Sequence, residues 1–149
     1  MTLKTRLNKL IKFKKMGAVD QSIIKNIAED LDCGCTCFYN IKTKEVIAIP
    51  PSFMDGFDDF DDDEFKPPTG DDFIKINPLE GSDSFKIMES FVQQLPENAL
   101  QQELEHTLRN KKPFQNFKYL IEASEFRTSW FNFKQKEIEK HVVIQLNKG

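Results

Sequence analysis

The chain has 149 residues, of which 39% are hydrophobic and 30% are charged, and its formal net charge is −3 at pH 7. A chain of this length falls in the size range of one domain and buries about 68–70% of its unfolded surface, so a core can form without disulfides or a structural metal. The sequence has no apolar run of about 18 residues and no signal-peptide pattern behind its basic N-terminus, which argues against a transmembrane helix and a secreted protein.

The cysteine content also argues against secretion. All three cysteines lie close together, at Cys33, Cys35 and Cys37. A disulfide framework needs an even number of cysteines spread along the chain. We therefore expect a cytoplasmic protein with reduced thiols.

Charge is distributed unevenly along the chain. The first fifteen residues contain bases and no acid, whereas the stretch from Asp55 to Asp72 contains nine acids and a single base, Lys66. Such blocks bear on solubility and binding partners rather than on fold. The N-terminal bases are Lys4, Arg6, Lys9, Lys12, Lys14 and Lys15, and the acids are Asp55, Asp58, Asp59, Asp61, Asp62, Asp63, Glu64, Asp71 and Asp72.

Two helices are predicted in the N-terminal part of the chain. Apolar residues recur at helical spacing among the first bases, which predicts a basic amphipathic helix over residues 1–17. A second helix begins after Asp20, a residue type favoured at the N-cap. The apolar residues of the first helix are Leu3, Leu7, Leu10 and Ile11, and those of the second are Ile23, Ile24, Ile27, Ala28 and Leu31.

The pattern then changes to strands. Residues 33–40 and 45–49 favour β-structure and are separated by four turn residues, which predicts a hairpin. Pro50 and Pro51 end the pairing because proline has no N–H to donate. Residues 53–71 are predicted to be an acidic flexible loop, and residues 73–76 alternate as a third strand.

From Ser82 onward the periodicity is helical. Pro96 and Pro113 suit the first turns of two helices, where a missing N–H costs nothing. Ser124 is a candidate cap for the last helix, and residues 141–146 fit a helix or a strand equally well. The expected fold is therefore α+β: a short antiparallel three-stranded sheet packed with five to six helices, in a single domain over 1–149.

Four segments carry a resemblance to a known family: IAEDLDCGCTCFYNIKTKEVIAIP, FKIMESFVQQL, PFQNFKYL and SWFNFK. Together they resemble an uncharacterised bacterial protein family of the UPF series (UPF-0158-like), across most of residues 20–146. The shared motifs are hydrophobic signatures, so the resemblance implies a fold and assigns no functional residue. The cysteine-rich first strand and the dense acidic loop depart from the family pattern.

The three cysteines have two interpretations. On a strand they alternate onto one face, where they could form a soft-metal or redox site. Zinc usually takes four nitrogen or sulfur ligands, and no fourth Cys or His lies nearby. Free cysteines are often buried as small apolar residues, so we favour packing in the core.

The acidic stretch is interpreted first as a solvated loop, because blocks of like charge are usually disordered, and three functional interpretations stand beside that one. An EF-hand loop that starts at Asp59 would contain Asp61 and Asp63 but lacks the required glycine at Glu64 and glutamate at Gly70, so it fails. A metal-dependent nuclease pattern would use Asp55, Glu64 and Lys66, which no predicted strand holds. The third interpretation is a docking segment, because Phe53, Phe57, Phe60 and Phe65 alternate with the charges and could anchor a basic partner.

The histidines give no catalytic pattern. Glu103 and His106 form half of a di-iron helix motif, but Glu137 precedes His141 by four residues rather than three, so the ligand set is incomplete. Neither histidine has a local Ser or Cys partner. The glycines form no phosphate-binding loop. We therefore interpret Glu103 and His106 as exposed helix surface.

The function predicted from these patterns is a non-enzymatic, cytosolic protein-interaction or regulatory domain, without a cofactor or a bound metal. One version is an immunity-like protein whose acidic surface blocks a basic enzyme. The alternatives are a nucleic-acid-binding protein that uses the basic N-terminal helix, and a metal-dependent hydrolase that uses the acidic loop. The predicted partner-binding residues are Phe57, Asp58, Asp59, Phe60, Asp61, Asp62 and Asp63 in the loop and Lys4, Arg6, Lys9 and Lys12 in the helix.

Overall fold

A computed structural model describes residues 19–52 and 68–148. Within these ranges it contains three strands and five helices with defined bounds, so the predicted α+β class is confirmed. The elements in chain order are α1 (Gln21–Asp32), β1 (Thr36–Asn40), β2 (Val46–Ile49), β3 (Phe73–Ile76), α2 (Gly81–Gln94), α3 (Ala99–Leu108), α4 (Pro113–Glu122) and α5 (Arg127–Lys148). None of these helices is both long enough and apolar enough to cross a membrane.

The sheet is antiparallel, with strand order β2-β1-β3. The hairpin predicted from sequence pairs Phe38 with Ile47, and β3 adds on the other side of β1 by pairing Phe38 with Lys75. Because side chains alternate along a strand, Cys37 and Tyr39 of β1 lie on one face and Thr36 and Phe38 on the other. We call the face of Cys37 and Tyr39 the inner face and the face of Thr36 and Phe38 the outer face.

Helix α1 begins at the position predicted from Asp20. The carbonyl oxygen of Asp20 accepts from the N–H of Ile24, although its side chain makes no cap hydrogen bond. The helix ends before Gly34, whose φ of +89° suits a left-handed residue that terminates a helix. Its buried residues are spaced as the sequence pattern predicted: Ile24, Ile27, Ala28 and Leu31.

The described residues form two compact units. The first contains the described residues up to Leu79 together with those from Ile138 onward, and the second contains Glu80–Glu137. In the first unit, α1 and the C-terminal part of α5 pack on the inner face of the sheet. That core includes Ile27, Leu31, Cys37, Tyr39, Ile74, Ile76, Ile138, Val142 and Leu146.

The second unit has a separate, aromatic core. The Trp130 ring packs edge-on against Phe117, with ring centroids 4.9 Å apart, and against Phe91, with centroids 5.3 Å apart. Each ring contributes a large buried area, and edge-to-face pairs add to that stabilisation. The remaining buried members are Met88, Val92, Leu95, Leu104, Leu108 and Ile121.

Four sequence predictions for the helical half can be compared with the structure. Pro96 does not lie in a first turn, because α3 begins at Ala99 behind the N-cap Asn98, whose side chain accepts from the N–H of Gln101. Pro113 is the first residue of α4, as predicted. Ser124 is not the N-cap of α5, because the helix begins at Arg127; its hydroxyl accepts from the N–H of Phe126 in the preceding turn. Residues 141–146 are helical.

Two predicted segments lie wholly or largely outside the described residues. They are the basic helix over residues 1–17 and the acidic loop over 53–71, of which only 68–71 are described. Both stay predictions, as does the single domain over 1–149.

Candidate interaction surface

The residues predicted to contact a partner all lie outside the described part of the chain. The surface that the structure does describe is the part of the sheet from which the acidic segment leaves and to which it returns. The predicted residues are Phe57, Asp58, Asp59, Phe60, Asp61, Asp62 and Asp63 in the acidic segment and Lys4, Arg6, Lys9 and Lys12 near the N-terminus.

Both ends of the acidic segment are attached to the sheet. At its start the chain leaves β2 through Ile49, a fully buried strand residue. At its end the carbonyl oxygen of Asp72 accepts from the N–H of Ile41, at 2.8 Å. The Asp72 carboxylate also lies 3.5 Å from the Lys42 ammonium group, although both side chains are solvent-exposed and such a pair contributes little to stability.

The turn between β1 and β2 is held by its own hydrogen bonds. The side-chain oxygen of Asn40 accepts from the N–H groups of Lys42 and Thr43, at 2.9 and 3.0 Å. The carbonyl oxygen of Asn40 accepts from the N–H of Lys44, which has a φ of 64°. This side-chain pattern imitates a backbone turn, so a hydrogen-bonded, lysine-bearing turn adjoins the described end of the acidic segment.

The cysteines do not share one strand face, and that part of the prediction is wrong. Cys33 is the C-cap residue of α1 and is exposed, Cys35 is half-buried and precedes β1, and only Cys37 lies in the strand. The strand begins later than predicted because α1 ends through the left-handed Gly34. The core interpretation is confirmed for Cys37, which is fully buried.

Burial controls the thiol chemistry of this segment. Burial, with smaller contributions from Asp30 and Cys35, raises the pKa of Cys37 to about 12. The pKa of Cys35 is also raised, first by burial and then by Asp30 and Cys33. Because the reactive form of cysteine is the thiolate, the raised pKa makes both thiols less reactive at neutral pH than an ordinary exposed cysteine.

The two glutamate–histidine pairs do not form metal sites in the described structure. Glu103 and His106 are both exposed on α3, as the surface interpretation predicted. His141 lies in α5, and its Nε2 is 3.1 Å from the carbonyl oxygen of Asn77. Among residues 19–52 and 68–148, no three His, Cys, Asp or Glu side chains come close enough to hold a metal ion.

One structural contact escaped the sequence analysis. The side-chain amide of Gln145 pairs with both backbone groups of Asn77: its nitrogen donates to the Asn77 carbonyl at 2.9 Å, and its oxygen accepts from the Asn77 N–H at 2.9 Å. These bonds join α5 to the end of β3. The only sequence signal for this contact was a polar residue, Gln145, on a mostly apolar helical stretch. That signal does not identify Asn77 as the residue it contacts.

Similarity to a known family model decides the family. Residues 53–148 match the model of "Uncharacterised protein family (UPF0158)". The chain belongs to this family. The match confirms the resemblance seen in the sequence, and it includes the acidic segment, β3 and all four helices of the C-terminal half.

The UPF0158 family description names no activity, so membership assigns no role to any residue of this chain. Neither the curated proteins nor the solved structures contain a match.

Proposed function

We propose that this UPF0158 member is a non-enzymatic protein-interaction or regulatory domain of the bacterial cytoplasm, and that its acidic segment binds a basic surface of another protein. The observation that carries the proposal is the concentration of nine acids between Asp55 and Asp72, in a segment that starts and ends at one small sheet. An immunity-like role, in which the acids cover the basic site of an enzyme, is one form of this function.

Electrostatics favours such a role. Clustered charge of one sign attracts a partner of opposite sign and disfavours binding to others. Attachment of both segment ends to the sheet also lowers the conformational entropy that binding must remove. Ile41, Lys42 and Asp72 provide that attachment at the C-terminal end.

A three-bait capture experiment from host lysate, read by mass spectrometry, tests the proposal. The first bait is the native chain. The second carries asparagine at five acids of the segment: Asp58, Asp59, Asp61, Asp62 and Asp63. The third is a control with the same change in net charge, in which glutamine replaces five exposed glutamates of the second unit: Glu89, Glu97, Glu103, Glu105 and Glu125.

The expected result is a protein that the native and control baits capture and the segment variant loses. Binding of that purified protein should then weaken as salt increases, because exposed charges are screened. Equal capture by all three baits would show that the acidic segment does not bind the partner. Equal loss from both variants would show that net charge alone is responsible.

The alternative function is nucleic-acid binding, and a second basic region favours it. Between Arg109 and Lys136 the chain has seven bases and two acids, and Tyr119 in this region is 76% exposed. Basic side chains and exposed aromatic rings are the groups that bind single-stranded nucleic acids. The bases are Arg109, Lys111, Lys112, Lys118, Arg127, Lys134 and Lys136, and the acids are Glu122 and Glu125.

Gel retardation with single- and double-stranded DNA and RNA at low salt tests the alternative. Binding should fall steeply with salt, since phosphate contacts release counterions. It should also fall when Lys4, Arg6, Lys9 and Lys12 are changed to glutamine. Absence of retardation at low salt would exclude this function.

A further inference from the structure

The solvent-exposed side of α4 combines basic, amide and aromatic side chains. The buried residues of this helix attach it to the core of the second unit. On its other side, Gln115, Lys118 and Tyr119 are spaced i, i+3 and i+4, so they are neighbours on the helix surface, and all three are exposed. Together with the exposed Lys111 and Lys112, which directly precede the helix, they form what we call the α4 surface.

Hydrogen bonds fix the backbone of the two lysines that precede α4. The side-chain amide of Asn116 donates to the carbonyl oxygen of Lys111, at 3.1 Å. The N–H of Asn116 donates to the carbonyl oxygen of Lys112, also at 3.1 Å. One residue in the first turns of α4 therefore holds both lysines, and their side chains leave the chain at a defined place at the start of the helix.

The α4 surface carries positive charge. Between Arg109 and Tyr119 the chain has four bases and no acid. All four bases are exposed, and none forms an ion pair with another described residue. The one acid of α4, Glu122, is half-buried, and its Oε2 atom is shielded from solvent. The surface therefore complements a polyanion.

The Tyr119 ring distinguishes among polyanions. It is 76% exposed, the highest value among the exposed large hydrophobic residues of the described chain. The side chains one turn before it are the amides of Gln115 and Asn116, whereas the core of a protein–protein interface is a contiguous apolar area. An exposed ring among bases and amides instead suits the stacking of a nucleic-acid base.

The same ring favours single strands over duplexes. Inside a duplex the base faces are covered by stacking, whereas unpaired bases can be splayed out and stacked on an aromatic side chain. Basic side chains beside the ring then follow the phosphates of the strand. The amide of Gln115 offers both a donor and an acceptor to a base edge or a sugar.

We propose that the α4 surface binds single-stranded nucleic acid, with a base stacked on Tyr119 and phosphates bound by Lys111, Lys112 and Lys118. This inference rests on the alternative function, nucleic-acid binding, and adds the contact surface, the class of strand and the stacking residue. It is independent of the acidic segment, because none of its residues lies there.

Fluorescence anisotropy with the full-length chain at low salt tests the proposal. The labelled probes are an RNA single strand of mixed sequence, the duplex made from it, and polyglutamate, a polyanion without bases. The chain should bind the single strand at least about fivefold more tightly than either control probe, since stacking of one base contributes that much affinity. Equal binding of the three probes would show that charge alone holds the ligand and would overturn the inference.

Substitutions at Tyr119 isolate the stacking. Tyr119→Ala should weaken binding of the single strand at least about fivefold, whereas Tyr119→Phe should bind like the native chain because it keeps the ring. Neither change should alter the near-ultraviolet circular dichroism of Trp130, since the Tyr119 side chain is exposed. Native affinity in Tyr119→Ala would contradict the proposed stacking.

The salt dependence of binding tests the lysines. The site variant changes the three lysines of the α4 surface to glutamine. The control variant changes three exposed lysines outside it: Lys44, Lys75 and Lys86. In the site variant, the slope of log affinity against log salt should become shallower by about 0.7 for each lost phosphate contact of a single strand. Equal slopes in the two variants would contradict the assignment of these lysines.

Ultraviolet cross-linking reads the position of the strand directly. A single strand that carries iodinated uridine is irradiated with the full-length chain, and the modified peptides are identified by mass spectrometry. A cross-link at Tyr119 is the expected result, because the reaction needs close contact between the base and an aromatic ring. Cross-links confined to other residues would overturn the inference.

Two outcomes separate this inference from the function on which it rests. Absence of binding to any nucleic acid at low salt would overturn both. Binding that persists in Tyr119→Ala and in the site variant, but is lost when Lys4, Arg6, Lys9 and Lys12 are changed to glutamine, would support nucleic-acid binding and overturn the α4 surface as its site.

Discussion

At the scale of single residues, Lys44 has a backbone conformation that is unfavourable for a residue with a Cβ atom. Its φ of 64° lies in the left-handed region, which costs a residue with a Cβ about 1–2 kcal/mol. Glycine adopts this conformation freely but loses more backbone entropy on folding. Lys44→Gly should therefore raise the free energy of unfolding by about 0.5–1 kcal/mol, measured by urea denaturation.

Lys42 in the same turn is the matched control. It is exposed, has the same side chain and does not have a positive φ. Lys42→Gly should lower the free energy of unfolding by up to about 1 kcal/mol, because glycine adds an entropic cost and the loss of the exposed Lys42–Asp72 ion pair adds little. If both substitutions destabilise the protein equally, the left-handed conformation of Lys44 is not a source of strain.

A second residue-scale prediction concerns the alkaline stability set by Cys37. Its pKa rises from 9.0 to about 12 on folding. Below pH 9 the thiol is neutral in both states, and between about pH 9 and 12 only the unfolded chain releases the proton. Over that window the free energy of unfolding should fall by about 1.4 kcal/mol per pH unit from this group.

Denaturation at a series of pH values, with Cys37→Ala as the comparison, isolates this effect. The variant should lose stability less steeply above pH 9. The pKa of Tyr39 is also raised, by burial and then by Asp20, so some alkaline slope should remain in both proteins. Identical slopes would mean that Cys37 ionises as easily in the folded chain as in the unfolded one.

At the scale of elements, α4 offers two phenylalanines with opposite environments. Phe117 is 1% exposed and packs on Trp130, whereas Phe114 is 46% exposed. Phe117→Ala should cost about 3–5 kcal/mol of stability through lost burial and a cavity. Phe114→Ala should cost about 1 kcal/mol or less, mainly from its edge contact with Phe85. Thermal melts of both variants, monitored by the near-ultraviolet circular dichroism of Trp130, compare the two losses of stability.

The elements also show how far the sequence determines the structure. Periodicity predicted α1, the hairpin, β3 and the start of α4 at Pro113, because each follows from local spacing and a nearby cap or turn residue. It failed at Cys33 and Cys35, where one left-handed glycine moved the start of β1. Contacts between distant residues, such as Gln145 with Asn77, left no local pattern. For the candidate interaction surface, the sequence predicted only the cluster of acidic charge.

At the scale of the whole molecule, the division into two cores predicts partial autonomy. The unit Glu80–Glu137 has its own aromatic core around Trp130. Domains of about 55–65 residues can fold alone, although with marginal stability. A fragment comprising these residues should therefore be helical and melt cooperatively, with Trp130 shielded from water.

The Phe117→Ala version of this fragment separates native packing from residual helicity. A marginally stable fragment should unfold when its free energy of unfolding falls by about 3–5 kcal/mol, the loss expected for a buried phenylalanine. The variant should therefore lose its cooperative melt and expose Trp130, while Phe114→Ala should retain both. If the unmodified fragment is already unfolded, with Trp130 emitting as in water, the second core depends on the rest of the chain. The predicted single domain over 1–149 would then describe the folding unit better than two.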